Sequence, residues 1–295
     1  MQGFKTRIYG KCILAGEHAV LRGSPALVVP VKGAYVDVEY KDDSSEFNIS
    51  VESDSRDLWD LLLTGVLDRA LDTLEKTREE LTGSLSLITN LNIGAGMGAS
   101  AVICVIAARL MEYNSWLQKD ELYDFAKDLE NIFHGESSGV DIAIALESKP
   151  LYFERKGFRK AIDITWTPKL YLSFTGSKGI TSECIAKVKR LWDKDSSLGK
   201  KIDDEMQKAV RGMEGSLYTN TELSENQFIK AMNSARNCFE QWGLTDGGVL
   251  ETMQKLKDSG AKAVKPTGSG DGGYVLSFWD KEPPAELIED MIAVK

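Results

Sequence analysis

Four short stretches of this sequence carry residue types that could do chemistry, and the densest lies at residues 92–101. There Gly94, Gly96 and Gly98 alternate with Ala95, Met97 and Ala99 ahead of Ser100. The apolar alternation over 85–89 reads as a strand, and the apolar run over 102–110 reads as a helix. A helix start offers unpaired N–H groups and a partial positive charge, and glycines let an anion come close to that backbone. The spacing G-x-G-x-G-x-S is neither the dinucleotide fingerprint nor the P-loop, and no lysine follows the last glycine. A glycine-rich turn between closely packed elements explains it as well as phosphate does. Ser100 could cap the helix, or it could offer its hydroxyl to a divalent cation beside phosphates.

The second stretch is Gly10-Lys11-Cys12-Ile13-Leu14-Ala15-Gly16-Glu17-His18-Ala19-Val20. A lysine inside an apolar strand is costly unless its ammonium snorkels to water or meets an anion. The third runs from Glu130 through His134-Gly135-Glu136-Ser137-Ser138-Gly139-Val140-Asp141. Glu130 is placed at the end of a helix, where a solvated face is its ordinary setting. Ser137 or Ser138 is expected to cap the helix that follows. Asp141, in that helix's first turns, is either a favourable charge near the N-terminus or a base. The fourth, Lys265-Pro266-Thr267-Gly268-Ser269-Gly270-Asp271-Gly272-Gly273, is a second glycine loop. It holds more glycine and serine than a tight hairpin turn needs, as a backbone close to a ligand would.

The elements that must position these residues follow from periodicity. Strands are predicted over 8–15 and 26–40 around a Gly23-Ser24-Pro25 turn, with a hairpin tip at 42–45 and a returning strand over 47–51. Helical spacing over 57–80 is ended by Gly83, and further helices are expected at 119–133, 181–192, 203–212 and 225–242. A hairpin over 151–164 turns at Lys156-Gly157, and strands at 170–175, 261–264 and 274–279 complete a mixed α/β pattern. A domain boundary is placed near Pro168, giving domains 1–167 and 168–295.

The bulk numbers narrow the partners. With 42% hydrophobic and 27% charged residues the chain can build a large core. A net charge of −9 argues against nucleic acid or an anionic membrane surface as partner. The four cysteines form no C-x-x-C pair and read as buried free thiols of a reducing compartment. The first residues lack the apolar core of a signal peptide, so the expected location is cytoplasmic. Two histidines, His18 and His134, are too few for a metal cluster of their own.

Taken together and in this order, the four stretches resemble the GHMP kinases, the superfamily of galacto-, homoserine, mevalonate and phosphomevalonate kinases. The match spans residues 10–273. The Gly-Lys and Gly-Glu-His-Ala-Val forms, with His-Gly-x-Ser-Ser-Gly-Val-Asp, look most like mevalonate kinases. The resemblance implies an α+β chain with a ribosomal protein S5 domain 2-like N-terminal half, a ferredoxin-like C-terminal half, and an active site in the cleft between them. It implies ATP and Mg²⁺ as cofactors and phosphorylation of the 5-hydroxyl of mevalonate, a small-molecule substrate. Gly94, Gly96, Met97, Gly98, Ala99 and Ser100 would hold the ATP phosphates, with Gly268 and Gly270 closing the site. Ser100 and Glu130 would hold Mg²⁺. Asp141 would receive the substrate hydroxyl proton, with Lys11 beside it, and Glu17, His18, Gly139 and Thr267 would face the acceptor. The resemblance leaves room for a homodimer.

The sequence also departs from the family pattern. The proline before the first glycine loop is Ile93, its first serine is Ala99, and the proline of the His-Gly-x-Pro-Ser-Gly form is Ser137, with Glu136 adding charge beside it. Lys265-Pro266-Thr267-Gly268 is closer to the phosphomevalonate kinase form, so phosphomevalonate or a sugar is the alternative acceptor. The loop at 176–181, with Lys178 and Thr181, lies where mevalonate kinases often carry substrate-side residues, too loosely aligned to assign. A relative that binds nucleotide without catalysis is the third reading. Lys11, Ser100, Glu130 and Asp141 are all present and argue against it.

Overall fold

The computed structural model describes residues 3–135, 137–155 and 158–294, without the His134 side chain. The turn expected at Lys156-Gly157 and the charge at Glu136 lie outside the described residues. Strand β1 (Gly3–Ala15) and strand β2 (Ala26–Lys41) each run through two compact units. One unit holds the chain up to Gly10, Ala34–Ile93 and Met97–Ser148, and the other holds Lys11–Gly33, Gly94–Gly96 and the chain from Lys149 onward.

In the first unit, β3 (Asn48–Glu52) is followed by α1 (Arg56–Thr73), β4 (Ser84–Thr89), α2 (Ala99–Tyr113), α3 (Leu122–His134) and α4 (Val140–Glu147). Strand β4 pairs antiparallel with β2, Val36 facing Thr89, and parallel with β3, Asn48 facing Ser84. The hairpin expected across 42–45 therefore does not form. Gly83 takes its place: its N–H donates to Ser44 O at 2.7 Å and its carbonyl accepts from Asn48 N at 2.9 Å, which sets β4 between the two strands. Helix α2 is buried nearly all round, from Ala101 to Met111, with α1, α3 and α4 packed about it. A helix apolar on every side belongs at the centre of a core.

Helix α1 stops well short of Gly83. Glu75 takes a left-handed conformation (φ 55°), and Lys76 N bonds back to Leu71 O at 2.9 Å, a Schellman ending with glutamate in the usual glycine position. The polypeptide then restarts as a 3₁₀ turn at Arg78–Glu80 under a Thr77/Glu80 capping box.

The second unit contains β5 (Leu151–Phe153), β6 (Arg159–Ala161), β7 (Lys169–Phe174), α5 (Thr181–Lys194), α6 (Ser196–Ser216), α7 (Glu222–Gln241), α8 (Gly248–Asp258), β8 (Ala263–Thr267), β9 (Tyr274–Trp279), α9 (Ala285–Ile288) and β10 (Met291–Val294). Its antiparallel sheet runs β10-β7-β9-β8. Val275 and Trp279 of β9 pack with Val249, Met253 and Leu256 of α8 on one face. Phe278, on the opposite face, meets Phe228 of α7 with ring centroids 5.5 Å apart. Helices α6 and α7 are longer than periodicity predicts because Asp195 caps Leu198 N at 2.9 Å and Thr221 caps Ser224 N at 3.2 Å. Helix α8 and strand β10 were not predicted. All four cysteines are buried and free. Among the described residues no helix is long and apolar enough to cross a membrane.

Candidate active site

The first unit supplies a helix start and two acidic residues. Gly98 is the N-cap of α2 in the left-handed region (φ 80°), which glycine adopts without strain, and its carbonyl accepts from Val102 N at 3.0 Å. Ala99 is buried and Ser100, second residue of the helix, is half-buried. Cys104 lies one turn beyond Ser100 on the same face of α2, and its thiol is pushed up by burial and by the charge of Glu130. Glu130 thus faces the stripe of α2 that begins with Ser100. It does not end its helix, as expected from sequence, but lies inside α3, only 2% exposed.

Glu130 accepts the Ser137 hydroxyl on Oε2, and Ser137 Oγ in turn accepts from Gly139 N at 3.0 Å. Ser138 Oγ accepts from Val140 N at 3.3 Å. Neither serine is the N-cap of α4. That position is Gly139, at φ 83°, where a Cβ would also collide with the Tyr123 hydroxyl. Asp141 sits in the first turn of α4, as expected.

The second unit brings the N-terminal stretch together with Gly94–Gly96 of the first glycine loop and with the second glycine loop. Lys11, in β1, is 6% exposed and does not snorkel. A Cβ on Gly268 would lie 3.5 Å from Gly96 O and 4.0 Å from Lys11 Nζ, and one on Gly273 would lie 2.9 Å from Ala95 O. Above Gly96 itself (φ 87°) a Cβ would meet nothing within 4 Å. Lys178 lies against the same loop, its Cδ 3.3 Å from where a Gly94 Cβ would be. Lysine and glycine backbone meeting beside open space are elements from which an anion site can be built.

The Glu17 and His18 side chains are fixed from behind. Lys265 Nζ, fully buried, donates to Glu17 Oε1 at 2.5 Å and to Ile13 O at 3.3 Å. Thr267 Oγ1 donates to the same Ile13 carbonyl at 2.9 Å. Burial pushes the Glu17 carboxyl up, and the Lys265 ammonium opposes that rise. The ring of His18 stands edge-on to Trp242, and burial lowers its pKa to about 4. It is therefore neutral near pH 7. Because a carbonyl can only accept, His18 Nε2, 2.8 Å from Ser269 O, carries the proton.

Residues 65–149 match the family model described as the GHMP kinases N terminal domain. The mevalonate kinase of Pyrococcus abyssi is 26% identical over 97% of this chain and 90% of its own length. Residues 65–149 are thus similar to the N-terminal domain of the GHMP kinases, and nearly the whole chain is similar to mevalonate kinases. The mevalonate kinase of Archaeoglobus fulgidus is 27% identical over 93% of this chain and 92% of its own. The crystal structure of L. major mevalonate kinase in complex with R-mevalonate superposes with a TM-score of 0.79 at 20% identity, covering 97% of this chain and 89% of that one. The family match and these relatives support a phosphotransferase, and the chain has the mixed helix-and-sheet fold of the mevalonate kinases.

The predicted site residues divide between the units. Lys11, Glu17, His18, Gly94, Gly96, Thr267, Gly268 and Gly270 belong to one; Met97, Gly98, Ala99, Ser100, Glu130, Gly139 and Asp141 belong to the other. Sequence reasoning passed over the individual roles of Ser137 and Lys265, the hydrogen-bond donors to Glu130 and Glu17. A buried carboxylate needs a donor, but the sequence marked neither carboxylate as buried.

Proposed function

We propose that this chain transfers the γ-phosphoryl group of ATP to the 5-hydroxyl of mevalonate, giving 5-phosphomevalonate and ADP. One observation carries this: in the second unit the two glycine loops meet beside Lys11, a Cβ on Gly268 lying 3.5 Å from Gly96 O and 4.0 Å from Lys11 Nζ. A fixed cation among backbone amides is what a triphosphate requires, since phosphoryl transfer depends on positioning and charge neutralisation. The likeness to mevalonate kinases, one of them solved with R-mevalonate, supports the choice of acceptor.

Asp141 takes the proton of the 5-hydroxyl. The 5-oxygen bonds to the γ-phosphorus while the bond from that phosphorus to the β-phosphate oxygen breaks, and ADP leaves. Lys11 stabilises the charge on the transferring group. The amides of Gly96 through Ser100 hold the phosphates, and Gly94, Gly268 and Gly270 are further backbone positions that serve the nucleotide. Glu17, His18, Gly139 and Thr267 stand on the acceptor side. Glu130, a buried carboxylate steadied by Ser137, and the Ser100 hydroxyl are hard oxygen donors that fit Mg²⁺. When bound there, Mg²⁺ neutralises phosphate charge.

Asp141→Asn should cut turnover with mevalonate by about 10²–10⁴-fold while ATP still binds. Near-normal turnover in both Asp141→Asn and Asp141→Ala would overturn the mechanism. A panel of hydroxyl acceptors, read by ADP release, tests the substrate. Phosphorylation of phosphomevalonate or a sugar, with none of mevalonate, would overturn the assignment.

A further inference from the structure

The second glycine loop contains an acidic residue that the proposed chemistry does not use. Asp271 adopts a left-handed conformation (φ 53°) between Gly270 and Gly272. Its backbone N–H donates to Leu244 O at 3.1 Å, just past the end of α7. Its Oδ2 accepts from Lys187 Nζ at 2.6 Å, with the side chains 22% and 38% exposed respectively. Lys187 also donates to Gly243 O at 3.0 Å. One ammonium thus ties three elements of the second unit: helix α5, the turn after α7, and the loop.

A second contact lies on the same face of α5. Cys184, three residues before Lys187, donates its thiol to Gly270 O at 3.5 Å. The loop's other end is fixed by the Gly273 N–H, which donates to Ser177 O at 2.8 Å. On its inner side, a Cβ on Gly270 would sit 2.9 Å from Leu244 Cβ. The loop therefore packs closely on the turn after α7, and Lys187 opposes its lifting away.

We propose that Lys187 is a positioning residue: its ion pair with Asp271 holds the second glycine loop in the curled form in which Gly268 reaches Gly96 and Lys11, and so sets affinity for the nucleotide. The ion pair rests on the kinase reading for its consequence at ATP, but its effect on the loop does not depend on that reading. An ion pair of this exposure contributes modestly, so the effect belongs in binding and not in the chemical step. Lys187 touches no reacting group.

The test is a double-mutant cycle of Lys187→Met and Asp271→Asn, asparagine being chosen because it tolerates the left-handed backbone. Each single variant should raise the KM for ATP about two- to fivefold, with kcat within about twofold. The double variant should be no worse than the worse single one, and Lys187→Arg should stay near the parent enzyme. Amide hydrogen exchange at Asp271 and Gly273 should quicken in both single variants. Additive effects on KM, unchanged exchange, or quicker exchange with unchanged KM would each overturn the proposal. A parent enzyme that binds no ATP would instead sink the kinase reading, and the exchange measurement would still decide whether the ion pair holds the loop.

Discussion

The two glycine loops are alike in composition and unlike in what holds them. The first runs straight into α2, so its C-terminal end is a helix start, with Gly98 as cap and the following amides already aligned. Rigidity and positive potential come from the helix itself. The second joins two antiparallel strands, β8 and β9, and no helix follows. Its shape is maintained by side chains from elsewhere: His18 holds Ser269 O, Cys184 holds Gly270 O and Lys187 holds Asp271. A loop that leads into a helix carries its own support, whereas one between strands must borrow it. Damage to the borrowed support should therefore cost more than damage to the first loop's own residues.

The largest difference is expected at Lys265, which anchors the strand leading into the second loop. Lys265→Met leaves the Glu17 carboxylate buried without its cation, a loss of about 3–5 kcal/mol of unfolding free energy. Urea denaturation would measure it. Pairing the change with Glu17→Gln should recover part of the loss, because the stranded charge is gone. A double variant as unstable as the single one would show that packing, not charge, is what Lys265 supplies. Next comes Gly270→Ala. Its left-handed backbone (φ 80°) and a Cβ only 3.0 Å from Leu244 O should together cost about 2–4 kcal/mol.

This contrast also explains what the sequence made legible. The first loop, its strand and its helix could be read directly, because period and glycine spacing are local signals. Lys11 and Asp141 could be singled out because a charge in an apolar setting is conspicuous in one dimension, whereas Glu130, read as a solvated helix end, was marked by the family resemblance alone. The supports of the second loop could not. Lys187 lies 84 residues from Asp271 and Lys265 lies 248 from Glu17, and nothing local marks such partners. The β3 register failed for the same reason. A polar tip at 42–45 suggests a hairpin, and only the distant Gly83 shows that another strand intervenes. Helix α1 overran in prediction because glutamate took the left-handed ending that glycine usually occupies.

The third prediction concerns acid. His18 is buried neutral with its pKa lowered to about 4, against an ordinary value of 6.5. Between those values the unfolded chain binds the proton and the folded one does not, so stability falls as pH drops below 6.5 and is unaffected above it. At pH 5 the loss from this residue is about 2 kcal/mol relative to pH 7. Stability curves at the two pH values should therefore converge in His18→Asn relative to the parent protein. An equal acid loss in both would mean that the support of Ser269 does not depend on a neutral imidazole.

The smallest effect on stability, and the sharpest on function, is expected in the first loop. Gly96 has a left-handed backbone, yet a Cβ there would enter open space, with nothing within 4 Å. Gly96→Ala should therefore cost only the backbone strain, about 1–2 kcal/mol. If that space belongs to the phosphates, the methyl group blocks them, and the KM for ATP should rise at least about tenfold while the protein stays folded. Gly270→Ala should show the opposite balance, losing mainly stability. Equal losses of stability in the two variants would erase the distinction between a loop supported by its own helix and one supported by borrowed side chains. Unchanged ATP affinity in Gly96→Ala would place the phosphates elsewhere.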